Sequence, residues 1–320
     1  MLIGVLCAIG ACLAWGLVFV TPLLLADYPG MLLSFGRYTA FGLVALVPAW
    51  LDRRRMRALT RADWMQALSL SFIGNLLYYA MLATGIQLAD APLPTMVVGT
   101  LPVAIAVCAN WSPAHGAEPI AWRRLAPSLA IILAGLALVN ASELSQFAAV
   151  GSGARRSVAD YVLGCLLAAA GVATWTWYPI VNARYLRRHT HINPVTWATA
   201  QGLTTLPLAL LGFAGYGVYG HLTGSSFAFP LGPQPGLFVA LMLVIGLTAS
   251  WLGILLWNQA SVRLPTSLAG QLMVFETLFA LLYAFILRGS LPTLEVGGGI
   301  VLLCGGVLMG VRVFRQHAAQ

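Results

Sequence analysis

The sequence contains no lysine and few charged residues of either sign. Charged residues make up 8% of its 320 residues, against roughly 25% in an average soluble domain. Hydrophobic residues make up 60%. A soluble core cannot accommodate so many long apolar runs, so the composition excludes an ordinary soluble globular protein. It indicates an integral membrane protein.

Residue patterns typical of enzymes and metal sites are also missing. The five cysteines lie inside apolar runs without metal-ligand spacing, and no histidine pair has such spacing. There is no GxxxxGK[ST] phosphate-binding loop and no Asp-rich motif. We therefore expect no catalytic residue, no metal, no cofactor and no direct ATP hydrolysis. An integral membrane enzyme acting on lipids is kept as a minor alternative, because the basic segment 53–61 could contact lipid phosphates.

Ten apolar runs of membrane-spanning length fill almost the whole chain. A spanning helix needs about 20 mostly apolar residues, and backbone in hydrocarbon must satisfy its own hydrogen bonds. The predicted spans are residues 2–21, 31–51, 64–87, 91–111, 125–141, 160–181, 194–216, 236–258, 265–287 and 293–312. The sequence therefore predicts an all-α integral membrane protein with ten transmembrane helices.

The arginines predict how these helices are oriented. Arginine-rich loops resist translocation and stay in the cytoplasm. With the N-terminus inside, thirteen of the seventeen arginines fall on the cytoplasmic side. Arg155, Arg156 and Arg288 fall outside, and Arg37 lies within span two. We therefore expect both termini in the cytoplasm, with the Arg155–Arg156 pair as an exception to the charge rule.

A polar segment divides the ten spans into two groups of five. This segment, residues 142–159, contains glycine and two arginines and is predicted to be a linker. The predicted units are residues 1–141 and 160–320. Because five is odd, the second unit must enter the membrane upside down relative to the first. Such inverted repeats are common in secondary transporters, where substrate binds between the repeats.

The two units also share sequence positions. Gly4 corresponds to Gly164, and Trp15 corresponds to Trp175, both at an offset of 160. At an offset of 175, spans three and four correspond to spans eight and nine. Chance similarity between apolar segments is the alternative explanation.

Taken in order along the chain, these motifs resemble the EamA-type family of the drug/metabolite transporter superfamily. The motifs are an AxxWG-like start ending at Gly16, Arg37, Pro102, the stretch LLWNQASVRLPTSLAGQLMVFETLFALL and the glycine-rich VGGGIVLLCGGVLMG. The resemblance implies a fold of ten helices in two inverted repeats, and bacterial inner-membrane carriers that often export amino acids or other small metabolites. It also implies that spans one, three, four, six, eight and nine surround a cavity, while spans five and ten are peripheral. Glu276–Thr277 stands where the family often has a proline, which leaves the subfamily and substrate open.

Glu276 is the sharpest single candidate for function. It lies near the middle of span nine, in MVFETLFALL. Comparable charges at the bilayer centre cost about 2.5–3.5 kcal/mol on insertion scales, so such a residue normally faces a cavity or a partner. The functional interpretations are contact with a substrate ammonium group or coupling to protons. The alternative is a structural carboxyl hydrogen-bonded between helices.

Aromatic and amide side chains recur on single helical faces and are predicted to line the cavity together with Glu276. An asparagine or glutamine deep in lipid needs a partner, and tryptophan faces attract cations. The predicted substrate-binding residues are Trp15, Asn75, Tyr78, Tyr79, Trp175, Trp177, Trp251, Asn258, Gln271 and Glu276. Helix packing and interfacial anchoring are the alternative roles for these side chains.

Arg37 and Asp90 are predicted to form a gate or a salt bridge. Arg37 lies about 9 Å inside span two, and Asp90 lies at the outer turn between spans three and four. Arg37 could instead extend to the membrane surface or bind a substrate carboxylate, and Asp90 could be an ordinary turn residue.

The combined prediction is a secondary active transporter that exports a small metabolite, such as an amino acid or amine, by alternating access. Proton coupling through Glu276 is part of this hypothesis. The alternatives are a membrane channel or a structural membrane subunit. The expected partners are a small-molecule substrate and the lipid bilayer, with protons and a second copy of the chain left open. Nucleic acid is not expected.

Overall fold

Helices account for nearly all of the chain that the structure describes. The computed structural model describes residues 1–89, 97, 99–111, 120–150, 158–289 and 291–318, and contains no β-strand within those residues. We number the membrane helices α1 (Leu2–Leu24), α2 (Gly30–Leu51), α3 (61–89), α4 (Leu101–Trp111), α5 (Trp122–Val150), α6 (Val158–Arg188), α7 (Pro194–Leu222), α8 (Pro235–Arg263), α9 (266–288) and α10 (Leu294–Ala318).

The prediction of an all-α protein built from membrane helices is confirmed. Within the described part of the chain, nine helices are long and apolar enough to cross a membrane, and Leu101–Trp111 is a shorter apolar helix. Most of the first part of the predicted fourth span, 91–100, lies outside the described residues. Several helices run past the predicted spans, and α6 ends at Arg188 rather than near residue 181. Arginines in a last turn interact favourably with the helix dipole, so the helix continues into the polar region.

The predicted linker is helical at both ends. Helix α5 continues to Val150 and α6 begins at Val158, so much of the segment 142–159 extends these two helices. Residues 151–157 lie outside the described chain.

The helices of one half pack mainly against helices of the other. Extensive contacts between the halves join α2 to α7, α5 to α10, α4 to α9, α1 to α8 and α3 to α6. Replacing each helix by the one five places along maps this set of pairs onto itself. That is the contact pattern expected of two structurally related halves that pack around a shared centre.

Small residues allow the α2–α7 pair to pack closely. A Cβ atom added to Gly202 would lie 2.6 Å from the Cβ of Ala45, and one added to Gly42 would overlap Leu206. Close backbone approach at small residues is typical of helix pairs in membranes. Gly42 and Gly202 are themselves 160 positions apart in the sequence.

Two short π-helical segments interrupt the α-helical hydrogen bonding of α3 and α8. They are Ser71–Leu77 and Gly246–Leu252. The two segments have equal length and lie 175 positions apart. Such π segments are rare and occur frequently at functional sites.

Candidate functional site

A cavity of about 290 Å³ lies between α1, α3, α4, α5, α6 and α9. Its described lining residues are Phe19, Leu23, Tyr78, Gly99, Leu101, Pro102, Leu136, Val139, Asn140, Trp175, Met273, Glu276, Thr277, Ala280, Leu281 and Ala284. They come from the end of α1, the start of α4, the middle and later part of α9, and a few positions of α3, α5 and α6. The cavity therefore occupies the middle of the bundle and the end away from the arginine-rich segments.

Helix α5 has a larger part in this cavity than the family resemblance implied. Leu136, Val139 and Asn140 line it, so α5 is not merely peripheral. Helix α8 contributes none of the described lining residues. The sequence of α5 did not predict this role, because its residues are mostly apolar and Asn140 lies close to the polar end of the predicted span.

Glu276 is held at the cavity wall by a break in α9. The helix is interrupted at Met273, and Glu276 falls in the first turn of the following segment, Val274–Arg288. The N–H of Glu276 donates to the carbonyl of Met273 at 2.9 Å, so the backbone keeps a helical course through this short break. Glu276 is half-buried, and it is one of the residues that line the cavity.

Two of the predicted aromatic residues form a wall beside Glu276. Tyr78 and Trp175 both line the cavity, with ring centroids 5.8 Å apart. Behind them, Trp15 contacts Trp175 at 6.1 Å and is 5% exposed. Trp15 is therefore a supporting residue of this wall. Trp257, which the sequence patterns did not single out, contacts Trp15 in turn at 5.3 Å.

Space for this aromatic cluster comes from a glycine after the second π segment. A Cβ atom at Gly253 would lie 2.7 Å from the indole Nε1 of Trp15. Only a residue without a side chain therefore lets α8 approach α1 at this level. This packing holds Trp15 in contact with Trp175.

Asn140 and Thr277 add polar groups that the sequence patterns did not identify as site residues. Asn140 Nδ2 donates to the carbonyl of Leu136 at 2.9 Å, and within the described chain no donor to its Oδ1 is found. Thr277 lies next to Glu276 on the cavity lining. The cavity thus combines a carboxyl, an amide oxygen and hydroxyl groups with aromatic faces.

Three further predicted residues belong to interhelical contacts outside the lining of this cavity. Tyr79 donates its hydroxyl to the carbonyl of Gly30 at 2.6 Å, and Trp251 donates its indole N–H to Thr199 at 3.2 Å. Trp177 is half-buried against the main apolar core. These residues connect α3 to α2, α8 to α7, and α6 to the core.

The predicted amide residues Asn75, Asn258 and Gln271 are buried and also lie outside the lining of this cavity. Asn258 Oδ1 accepts from Asn182 Nδ2 at 2.9 Å. Asn75 Nδ2, Asn258 Nδ2 and both polar atoms of Gln271 have no hydrogen-bond partner within the described chain. Gln271 packs against Gly310 of α10, where a Cβ atom would overlap it.

Arg37 connects α2 to the second π segment. Its Nε donates to Ser250 Oγ at 2.9 Å. It forms no ion pair with Glu276 among the described residues. Asp90, the predicted partner of Arg37, lies outside the described residues.

Contacts of α6 join helices at the arginine-rich end of the bundle. Asp63, near the start of α3, accepts hydrogen bonds from Thr60 in a capping box and from the hydroxyl of Tyr185. Arg187 donates to the carbonyl of Ser261 at 3.0 Å and to that of Leu264. The last turns of α6 therefore join the start of α3 to the end of α8. We call this set of contacts the α6 clamp.

A buried polar network lies just inside the α6 clamp. Asn182 Oδ1 accepts from Trp197 Nε1 at 2.8 Å and from Gln201 Nε2 at 3.1 Å. Tyr178 donates to Gln201 Oε1 at 2.7 Å. Together with the Asn182–Asn258 bond, the network spans α6, α7 and α8. Helical spacing in a sequence does not reveal which buried amides meet in this way.

Comparisons with known proteins give a consistent result. Residues 2–141 match the EamA-like transporter family. Inner membrane protein YtfF of Escherichia coli (strain K12) is 47% identical over 312 residues, which cover 98% of this chain and 96% of that protein. A solved crystal structure matches this chain with a TM-score of 0.67 and 20% sequence identity. The match covers 98% of each of the two chains. Identity at that level supports the fold alone.

Proposed function

The chain belongs to the EamA-like transporter family, and we propose that it is a secondary active transporter of a small metabolite that works by alternating access. The single observation that supports this most is the asymmetry of the bundle. A cavity with Glu276 in its wall lies toward one end, and the α6 clamp and its polar network close the other. Such an arrangement corresponds to one of the two states that alternating access requires.

The same proposal assigns an orientation in a bacterial inner membrane. The relative YtfF is an inner membrane protein, and the arginine distribution places the clamped end in the cytoplasm. Both termini are then cytoplasmic, and the cavity faces outward. We propose export as the direction of transport, with residues 1–141 and 160–320 forming inverted repeats that rock against each other.

Glu276 is the residue we propose for proton coupling. The carboxyl of Glu276 can bind a proton or neutralise a cationic substrate, but it cannot do both at once. Exchange of one for the other would couple export of substrate to entry of protons. The position of Glu276 in a first helical turn, facing a cavity rather than lipid, supports this role.

The test needs a substrate, which a thermal-shift screen of the purified protein can supply. A ligand that binds the folded state raises its melting temperature by mass action. Amino acids, amines and nucleosides are the classes to screen. Solutes that raise the melting temperature are then assayed in proteoliposomes for saturable counterflow and for flux driven by a pH gradient.

Glu276→Gln is the decisive variant, and Glu295→Gln is its matched control because Glu295 is exposed at the start of α10. We expect Glu276→Gln to lose the pH-gradient-driven flux and Glu295→Gln to keep it. Full gradient-driven flux in Glu276→Gln would contradict the coupling role. Flux that never saturates and shows no counterflow would instead indicate a channel, and the absence of flux for every solute would favour a structural subunit.

A further inference from the structure

The described polar groups of the cavity include several hydrogen-bond acceptors. Asn140 donates one of its two amide N–H groups to Leu136 of its own helix, and its nitrogen lies against Gly99, so the carbonyl oxygen is the less hindered atom of this lining residue. Glu276 offers carboxylate oxygens, which accept hydrogen bonds when ionised. Thr277 and Tyr78 carry hydroxyls, which can serve in either direction. A ligand with several N–H donors matches this set better than one with acceptors.

Asn140 is held in this orientation from two sides. The bond from its Nδ2 to the Leu136 carbonyl fixes which end of the amide points along the helix. Across the gap, a Cβ atom at Gly99 would lie 3.2 Å from Asn140 Nδ2. Gly99, just before α4, leaves room for the amide because it has no side chain. The close approach of its backbone limits rotation of the Asn140 side chain.

The charged group in the described lining points to a cation. That group is the carboxyl of Glu276, which can pair with a ligand ammonium group and would repel a ligand carboxylate. Arg37 lies outside the lining, with its Nε bound to Ser250. The rings of Tyr78 and Trp175 provide faces that attract cations.

We propose that this cavity selects small organic ammonium ions that carry N–H groups, and that Asn140 is the residue that distinguishes them from quaternary ammonium ions of the same charge. This inference rests on the proposed transport function and specifies its substrate class. Glu276 recognises the positive charge of a ligand, and the aromatic wall recognises both its charge and its shape. Asn140 Oδ1 alone requires a hydrogen-bond donor.

Three probes that share a phenylethyl skeleton separate the effects of charge, N–H groups and a carboxylate. Phenethylamine carries an ammonium group with three N–H donors. Its N,N,N-trimethyl derivative keeps the charge and ring but has no N–H. L-Phenylalanine keeps the N–H groups and adds a carboxylate. Affinities are measured by intrinsic fluorescence or calorimetry on the purified full chain in detergent, with each probe titrated separately.

We expect phenethylamine to bind at least about tenfold more tightly than either of the other two probes, since hydrogen bonds to charged groups contribute on that scale. Asn140→Leu should reduce phenethylamine affinity by about tenfold and leave the trimethyl derivative unchanged. The matched control is Thr248→Val, because Thr248 also bonds only to its own helix, at the carbonyl of Val244, and does not line this cavity. It should change neither affinity.

Equal affinity for phenethylamine and its trimethyl derivative in the unaltered protein would overturn the inference without any variant. Equal weakening of both by Asn140→Leu would overturn the role of Asn140. Saturable counterflow of another solute, with no binding of these three probes, would overturn the substrate class and leave the transport function standing. The transport function itself fails only if counterflow is absent for every solute found by thermal shift.

Discussion

Trp15 and Trp175 lie 160 positions apart in the sequence and contact each other edge to face, with ring centroids 6.1 Å apart. The same offset relates Gly4 to Gly164 and Gly42 to Gly202. Residues related by a two-fold axis can touch only close to that axis. The contact is therefore what inverted repeats would produce if the axis passed beside the cavity, and it places the aromatic wall at the centre of the proposed rocking motion.

Trp175 should be essential for ligand binding. It lines the cavity and contacts Trp15, Tyr78 and Tyr178. We expect Trp175→Ala to weaken binding of the best amine by about tenfold or more, since a desolvated cation–π contact contributes about 2 kcal/mol. Trp175→Phe should retain part of the affinity, because a smaller aromatic face remains. Titration of the purified variants measures both effects.

Trp111 provides the control for Trp175. It is 74% exposed, pairs with Trp122 and lies at the other end of the bundle. Trp111→Ala should leave the affinity unchanged. Similar losses in both variants would mean that Trp175 acts through general stability rather than as a wall of the cavity.

The hydroxyl of Tyr185 should help to keep the arginine-rich end closed. Tyr185→Phe removes its bond to Asp63, whereas the stacking on Trp197 and His189 and the cap from Thr60 remain. A hydrogen bond to a charged group contributes about 1.5–3 kcal/mol, so the open population should rise roughly tenfold or more. Opening is measured as the rate at which a maleimide labels Ser261→Cys in a background without the native cysteines.

Tyr219 offers the comparison for this experiment. It is 64% exposed near the end of α7, far along the chain from the α6 clamp. Tyr219→Phe should not change the labelling rate of Ser261→Cys. An unchanged rate in Tyr185→Phe would remove the α6 clamp from the proposed gating mechanism.

Gly202 should be intolerant of even one added methyl group. Gly202→Ala places a Cβ atom 2.6 Å from that of Ala45, which forces α2 and α7 apart. Overpacking of this kind costs about 1–3 kcal/mol, and we expect a lower melting temperature. In the same helix, a Cβ atom at Gly215 meets nothing within 4 Å.

The Gly215→Ala control should therefore show the opposite sign. Alanine is favoured over glycine inside a helix by up to about 1 kcal/mol, and no neighbour opposes it there. Thermal unfolding of both variants in the same detergent tests the pair. A stabilising Gly202→Ala would show that α2 and α7 are less closely packed than described.

The membrane fold was predictable because its main signal is local. Apolar runs of about 20 residues have few alternatives to helices in lipid, and the described helices follow those runs. The ends were less predictable, since helix hydrogen bonding continues after hydrophobicity stops. Helix α6 reaches Arg188 through a polar last turn that no hydropathy window includes.

The site was predictable only where a residue is costly to bury. Glu276 stands out by its charge, and Tyr78 and Trp175 by their position on helical faces. Asn140 and Trp257 gave no comparable signal, because their roles depend on which helices meet. The pairing of α1 with α8 brings Trp257 against Trp15, and Gly99, just before α4, faces Asn140. The local spacing of residues in the sequence does not predict such long-range contacts.

The π segment of α3 controls which way the rest of that helix faces. Each residue turns a helix by about 100°, and a π segment amounts to an extra residue within a regular helix. Tyr78 follows directly after Leu77, where the segment ends. If this segment became regular α-helix, the part of α3 that follows it would rotate about the helix axis by about that angle. Tyr78 would then leave the cavity. A shift of register within α3 could therefore change the wall of the cavity without moving the helix axis.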